Sequence, residues 1–459
     1  MTVNALWIVI ADALKAVTGF VTLLIIVNLG GISTYGTYRA IISLSSLLMI
    51  FTDLGIQTAL LKYLRESEAY MTAALLLRTS LSTVIFLLIY LAGLPIPIKL
   101  DREFLIAASL FTFFNVSSIF RAYYTAKLSF KTFLNGLVLG YVTMLSLTTL
   151  TLLAGWGVKG LLIAYAASNA LNIAYQLFKA ISMGYRPIEP KLLHIRSLIT
   201  LGASTWVPSI FRVLGRYSAE LFIFAYAGAI QTGKYSVAFT LLTFTTMVLN
   251  PVAQLLIPNL DRYPEDQRNK VLSDVLTVNY AILMPIAGSL ALASDYVMKL
   301  LGAEEGILLK VLLISTLFVP LMKANTIMMV RREEKGLIAG RGILINSIKL
   351  ALFYLLTPIY GGLGAALSYT VGEMMRGPIE VYLLFKHGLK VRWRKVLLLM
   401  AVFITPLLLS FRYVDFLTLP VYLLVVIALY RKVLSEKDRE NLAKILKTPL
   451  EVMAHLSAR

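Results

Sequence analysis

Residues 132–154 read TFLNGLVLGYVTMLSLTTLTLLA, and two residues later residues 157–179 read GVKGLLIAYAASNALNIAYQLFK. The first segment has no charged side chain, and the second has lysines only near its ends, Lys159 and Lys179. About 20 mainly apolar residues suffice for a helix to cross the roughly 30 Å hydrocarbon layer of a bilayer. Two such segments joined by two residues predict a pair of membrane spans with a tight turn between them.

The same test, carried outward in both directions, predicts spans at 4–28, 38–60, 71–92, 104–126, 132–154, 157–179, 200–226, 234–257, 274–293, 306–329, 337–357, 362–385, 396–411 and 416–430. The last two are short enough to form one re-entrant hairpin instead. Composition agrees: 58% of the 459 residues are hydrophobic and 15% charged, against about 45–50% and about 25% in soluble domains. Lipid must therefore be the solvent for most of this surface. The fold class predicted is all-α: a polytopic membrane protein with about 14 transmembrane helices. The first apolar run carries Asp12 and Lys15 and continues to about Asn28, too long for a signal-peptide core, so it reads as a permanent span.

The formal charge of +19 could suggest a nucleic-acid partner, but its distribution argues otherwise. With the N-terminus in the cytoplasm, inside loops collect about twenty Lys and Arg, among them Arg121, Lys127, Lys131, Arg186, Lys191, Arg331, Arg332, Lys390, Arg392 and Arg394. Outside loops hold only Lys99, Arg102, Lys159, Lys234, Lys299 and Arg412. This is the positive-inside pattern of a cell-membrane protein with both termini cytoplasmic. The chain has no cysteine, which excludes disulfides, thiolate metal sites and cysteine nucleophiles. Its three histidines, His194, His387 and His455, fall in polar connections or the tail, so no histidine metal site is expected within the membrane. Outside loops are short, with no room for an extracytoplasmic catalytic domain.

An internal repeat organises the spans. A shift of 197 residues carries Gly36-x-Tyr38 onto Gly233-x-Tyr235, Asp53 onto Asn250, Gln57 onto Gln254 and Lys15 onto Arg212. A shift of 204 carries Gly157-x-x-Gly160 onto Gly361-x-x-Gly364 and Tyr165 onto Tyr369. Six spans per copy is an even number, so the copies share one orientation and are related by an axis along the membrane normal. The expected organisation is an N-lobe (1–179), a cytoplasmic linker (180–199) marked by prolines and charge, a C-lobe (200–385), two added helices (386–430) and a basic tail (431–459). The tail's apolar residues, from Leu434 to Leu456, have the spacing of an interfacial amphipathic helix. The lobes are thus two pseudo-symmetric six-helix bundles, followed by two C-terminal helices.

Ionisable groups inside spans are the candidate site, because each costs at least about 2.5–3.5 kcal/mol at mid-bilayer. In span 7, Arg212, Arg216 and Glu220 form one stripe at i, i+4 and i+8, either facing a substrate or with Arg216 and Glu220 neutralising each other. Span 1 presents Asp12 and Lys15 on one face. Arg39 of span 2 is expected to snorkel. Asp53 is expected to cap, pair with Lys62 or take part in gating, and Arg78 of span 3 to snorkel or line a cavity. Lys349, Arg376 and Lys323 are further cations, with Glu373 either paired to Arg376 or serving as a proton or sodium site. The cationic set Lys15, Arg78, Arg212, Arg216, Lys349 and Arg376 suits an anionic substrate, since a guanidinium fork matches two phosphate oxygens. Asp12, Asp53, Glu220 and Glu373 would balance charge or carry a coupling ion, H+ or Na+. No other cofactor is expected.

Tyr35-Gly36-x-Tyr38, Ser43-Leu44, Asp53-Leu54-Gly55 and Ala59-Leu60, with Thr232-Gly233-x-Tyr235-Ser236-x-Ala238 opening the second half, resemble the polysaccharide exporters, or O-antigen-type flippases, of the multidrug/oligosaccharidyl-lipid/polysaccharide superfamily. The resemblance implies two six-helix lobes in a V, alternating access, and movement of a polyprenyl- or dolichyl-pyrophosphate-linked oligosaccharide to the outer leaflet. Related lipid II flippases bind the pyrophosphate with arginines of the first and seventh-to-eighth helices. Lys15, Arg212 and Arg216 hold comparable places here, with lysine at 15 instead of arginine. Expected partners are that lipid-linked oligosaccharide, membrane lipids and glycosyltransferases or a polymerase of the same pathway, with no nucleic acid and a monomeric carrier. A cation-coupled multidrug antiporter of the same superfamily is the alternative, and the surplus of intramembrane cations counts against it. A membrane-embedded glycan polymerase or glycosyltransferase would need a catalytic constellation that the chain lacks.

Overall fold

The structure is a computed structural model, and it describes residues 2–64, 66–92, 101–249, 265–332, 334–411 and 418–433. The expected tail helix beyond 433, the ends Asn250, Pro251 and Gln254 of span 8, and the outside positions Lys99 and Arg412 lie outside the described residues, as does His455. Among the described residues the regular structure is helical throughout. In hydrocarbon, backbone N–H and C=O groups can find partners only within a helix or a closed barrel.

Nine of these helices are long and apolar enough to cross a bilayer, or ten if the bent pair within 192–247 counts as one. Ile10–Asp53 runs for 44 residues, about 66 Å at 1.5 Å per residue and twice the hydrocarbon thickness. It is broken at Gly31 (φ 82°, ψ 165°). Leu192–Met247 is broken likewise at Gly228 (φ 80°, ψ −177°), and Lys335–Lys386 at Gly361 (φ 56°, ψ −130°). Each is therefore two spans meeting at a glycine. Counted this way, and with the shorter apolar helix Thr418–Tyr430, the described residues hold fourteen apolar helices. They are named α1 (2–30), α2 (32–53), α3 (Ala69–Ala92), α4 (Arg102–Ala126), α5 (Phe130–Leu153), α6 (Gly157–Ser182), α7 (192–227), α8 (229–247), α9 (Glu265–Leu292), α10 (Gly306–Met329), α11 (335–360), α12 (362–386), α13 (Trp393–Ser410) and α14 (Thr418–Val433).

The repeat read from sequence is present in the backbone. Gly31 and Gly228 are 197 residues apart and share one conformation, a region of positive φ and extended ψ that is essentially restricted to glycine. Gly157 and Gly361, 204 apart, have φ of 53° and 56°. The 3-10 stretch Phe111–Val116 within α4 has its counterpart in Ile314–Phe318 within α10. Where the sequence suggested a loop between spans 1 and 2, the chain makes none: Gly31 lets α2 begin at once. Conversely, the expected span 38–60 is interrupted. Leu54 (φ 42°) and Gly55 (φ 69°) end α2, and a short helix, Ile56–Tyr63, follows.

The chain forms two compact units. One comprises Met1–Ser236 with Gly342–Ala365, the other Val237–Arg341 with Ala366–Arg459. The first boundary between the two units falls at 236/237. The physical reason is close helix packing: α7 and the start of α8 lie against α2 within the first unit. A methyl group on Gly36 would overlap the Ala229 carbonyl and sit 2.7 Å from the Gly233 nitrogen, while one on Gly233 would overlap the Ile32 carbonyl. Ile32 and Ala229 are themselves 197 residues apart. The packing is reciprocal, as an internal two-fold axis requires.

In the same unit, α5 and α6 pack through Gly136 and Gly140, the small-xxx-small spacing that lets helix backbones approach. Added methyl groups there would meet Asn172 at 2.9 and 3.1 Å. A buried cluster including Tyr70, Phe120, Tyr123, Tyr124, Phe130 and Phe133 joins α3, α4 and α5. In the second unit, α9 packs on α13 and α14. Lys310 reaches Asp295 at 2.6 Å and the Ser410 carbonyl at 2.7 Å.

Candidate functional site

Glycine and small residues along α1 (Ala11, Thr18, Gly19, Thr22) leave space inside the first unit. There α1, α2, α4, α5 and α6 line an open cavity of about 520 Å³. Its polar wall includes Asp12, Lys15, Thr18 and Thr22 of α1, Tyr35, Tyr38 and Arg39 of α2, Asn115, Ser117, Ser118 and Arg121 of α4, Tyr141 of α5, and Tyr165, Ser168, Asn169 and Asn172 of α6, with Gln57 from the short segment that follows α2. Three cations, Lys15, Arg39 and Arg121, face one carboxylate, Asp12. That carboxylate lies 4.0 Å from Arg121, the outer limit of an ion pair. Lys15 is exposed to the cavity and makes no ion pair among the described residues. The tyrosines present both an aromatic face and a hydroxyl.

Arg39 does not snorkel. Its Nε and Nη2 donate to Glu220 Oε1 at 3.0 and 2.6 Å. Ser236 donates to the same oxygen at 2.9 Å, and Ser43 donates to Oε2. Glu220, only 2% exposed, is therefore held by α2 and α8 while belonging to α7. This corrects the Arg216–Glu220 pairing: Arg216 is exposed, its guanidinium 5.5 Å from the Tyr217 ring centre. Arg212 is also exposed, donating to Ser209 Oγ at 3.1 Å. Neither lines the cavity.

Arg78 neither snorkels nor opens to a cavity. It is fully buried, paired with Asp53, and donates to Ser118 Oγ and, at 2.7 Å, to the Asn115 carbonyl. Asp53 accordingly pairs with Arg78 and not with Lys62. The four residues brace α2 and α3 against the irregular middle of α4, where the 3-10 turn exposes the carbonyl that Arg78 takes up. Nearby, Trp206 Nε1 of α7 donates to the Ile50 carbonyl of α2 at 2.7 Å, and Gly55 packs against the Gly202 carbonyl.

Lys349 is 3% exposed in α11. Arg376 and Glu373 pair at 3.3 Å in α12, the i, i+3 pairing the sequence allowed. Glu380 is fully buried and held by Arg341 at 2.7 Å and by Asn325 at 2.7 Å. His387 meets Glu334 at 2.9 Å. Among the described residues no three His, Asp or Glu side chains come together as a metal site would need.

Of the residues singled out from sequence, Asp12 and Lys15 share the cavity, and Arg78 braces its α4 wall from behind. Arg39 and Arg121 were missed as cavity residues. Arg39 looked like an end-of-span snorkel and Arg121 like a loop charge, and only the packing of α1 against α2 and α4 brings them together. The Gly136-x-x-x-Gly140 spacing beside Asn172 was the available signal that α6 comes close enough to lend its amides.

Residues 31–305 match the family described as "Polysaccharide biosynthesis protein". No curated protein matches the chain significantly by sequence. Among solved structures, the chain is similar to the lipid II flippase MurJ in an inward closed conformation. The TM-score is 0.71 at 14% identity, covering 96% of this chain and 98% of that one. It is also similar to an inward-facing multidrug resistance MATE family transporter of the MOP superfamily, with TM-score 0.55 at 13% identity, covering 84% and 94%. A MOP superfamily transporter from Pyrococcus furiosus follows, with TM-score 0.50 at 14% identity, covering 84% and 95%.

Proposed function

Because the chain belongs to the polysaccharide biosynthesis protein family of the MOP superfamily, a family of multi-pass membrane proteins, we propose that it is a flippase for a lipid-linked oligosaccharide. It would act by alternating access in the cytoplasmic membrane, with both termini cytoplasmic. The observation that carries this reading is the cavity: cations outnumber carboxylates, and tyrosines, hydroxyl side chains and amides fill the rest of its polar wall. Lysine and arginine recognise the (pyro)phosphate. Aromatic faces and amide groups suit sugars, which are apolar on one face and hydroxylated at the edge. The polyprenyl or dolichyl tail has no reason to leave lipid, since only the head group cannot cross hydrocarbon.

In this reading Lys15 meets the phosphate in the cavity, and the exposed Arg212 and Arg216 of α7 attract it along the way. Arg376 and Lys349 are further cations for the passage of an anion. Arg78 acts through α4, holding the wall that carries Ser117, Ser118 and Arg121. Asp12, Glu220 and Glu373 offset the positive charge so that the head group is released, and any coupling ion, H+ or Na+, would act on one of these carboxylates. The protein would work as a monomeric carrier without catalysing a covalent step, receiving its cargo from glycosyltransferases and delivering it to a polymerase or transferase outside. A carrier of hydrophobic cations would need the opposite balance of charge.

The test is reconstitution in liposomes with a labelled lipid-linked oligosaccharide, following its exposure to an external glycan-modifying enzyme. Time-dependent exposure that requires the protein supports the reading. Transport of hydrophobic cations without movement of glycolipid refutes it.

A further inference from the structure

Arg39 belongs to two structures at once. Its side chain is 24% exposed and forms part of the cavity wall, while its guanidinium grips a Glu220 that is 2% exposed. Glu220 in turn is the point where α2, α7 and α8 are tied together, through Arg39 and Ser43 on one side and Ser236 on the other. This tie lies about one helical turn along α2 and α8 from the reciprocal Gly36–Gly233 crossing. Three cations and two carboxylates make up the ensemble of Lys15, Arg39, Arg121, Asp12 and Glu220, and Asp12 and Arg121 stand 4.0 Å apart.

We propose that the cavity of the N-terminal unit is a pyrophosphate-type anion site built on Lys15, Arg39 and Arg121, whose occupant draws Arg39 off Glu220 and so releases the latch joining α2 to α7 and α8. The inference deepens the function proposed above and rests on it for the nature of the cargo. An anion gathered by Lys15 and Arg121 offers the Arg39 fork two oxygens of higher charge than the one carboxylate oxygen it now holds. Once Arg39 turns, Glu220 is a buried carboxylate left with two serine hydroxyls, a costly state. The cost is relieved when α2 parts from α7 and α8 and water reaches the carboxylate. Binding then favours the opened arrangement because the anion interacts differently with the two states, which is the only way a ligand can shift such an equilibrium.

The cysteine-free chain allows a direct test in the full-length protein. Ser33 and Ile230, exposed counterparts under the 197-residue shift, flank the glycine crossing. Spin labels on Ser33→Cys and Ile230→Cys report its opening by electron–electron distance measurement in nanodiscs. Inorganic pyrophosphate and farnesyl pyrophosphate are the two probes. Both are expected to move the distribution to longer distances, the lipid form at lower concentration. Glu220→Gln is expected to give the longer distance without ligand. Lys15→Gln should keep the short distance without ligand and need about tenfold or more ligand to lengthen it, the effect of removing one charge-assisted hydrogen bond. A Lys15 with a merely structural role would not move that midpoint.

A response to the inorganic ion alone keeps the latch and removes the lipid head group as its occupant. Pyrophosphate binding measured by equilibrium dialysis with an unchanged distance overturns the latch, and absence of binding overturns the site. Flipping of glycolipid with no distance change leaves the proposed function standing and this inference fallen. A ligand-driven distance change without flipping does the reverse.

Discussion

Replacing Gly36 with alanine separates two effects of opposite sign. The new methyl group would overlap the Ala229 carbonyl and lie 2.7 Å from the Gly233 nitrogen. Both obstacles are backbone atoms of the partner helix segment, so no side chain can swing away, and α2 and α8 must separate. Overpacking of this kind costs about 1–3 kcal/mol, which corresponds to about a 5- to 150-fold change in the ratio of closed to open crossings. Alanine also improves the intrinsic helix propensity of α2 by about 0.5–1 kcal/mol, but it does so whether the crossing is closed or open. That gain therefore cancels in the conformational equilibrium and appears only in overall stability. Distances between labels at 33 and 230 are expected to shift strongly toward the open population in Gly36→Ala, and equally in Gly233→Ala, its two-fold counterpart. Gly340→Ala is the control, because a methyl group there meets nothing within 4 Å; it should leave the distance unchanged. An unaltered distance distribution in Gly36→Ala would refute the assignment of this crossing as a close backbone approach.

Asp53→Asn should destabilise the fold by about 3–5 kcal/mol, because Arg78 is left buried without a counter-charge, whereas Lys62→Gln should be close to neutral; thermal unfolding in detergent compares the two. Gly31→Ala and Gly228→Ala should each cost about 1–3 kcal/mol, because both positions occupy a glycine-only backbone region, and equal melting temperatures for wild type and variants would contradict that. Lys15→Gln is expected to slow glycolipid flipping by about tenfold or more while leaving thermal stability unchanged, since Lys15 makes no ion pair among the described residues; a normal rate would remove Lys15 from the cargo site. For topology, a cysteine introduced at Lys127 should be protected from an impermeant reagent in intact cells and one at Lys299 labelled, and the opposite pattern would invert the orientation.

Span count and the internal repeat were legible in the sequence because both depend on properties local to each segment. Twenty apolar residues must form a helix in lipid whatever surrounds them, as 132–154 and 157–179 do. A residue that a close helix crossing requires must recur in each copy, as Gly36 and Gly233 do. Charge partners were another matter. Reading along the chain offered Arg216, four residues from Glu220, and Lys62, nine from Asp53, because a linear pattern shows only partners that are near in sequence; it found Glu373–Arg376, which is such a neighbour. The partners actually taken, Arg39 for Glu220 and Arg78 for Asp53, are 181 and 25 residues away. They were settled by which helices come close enough to exclude water and make an unpaired charge costly. The cavity is a product of the same step, since Lys15, Arg39 and Arg121 meet only after α1, α2 and α4 have packed. Sequence dictates which segments must leave water; tertiary packing decides which charges must then find each other.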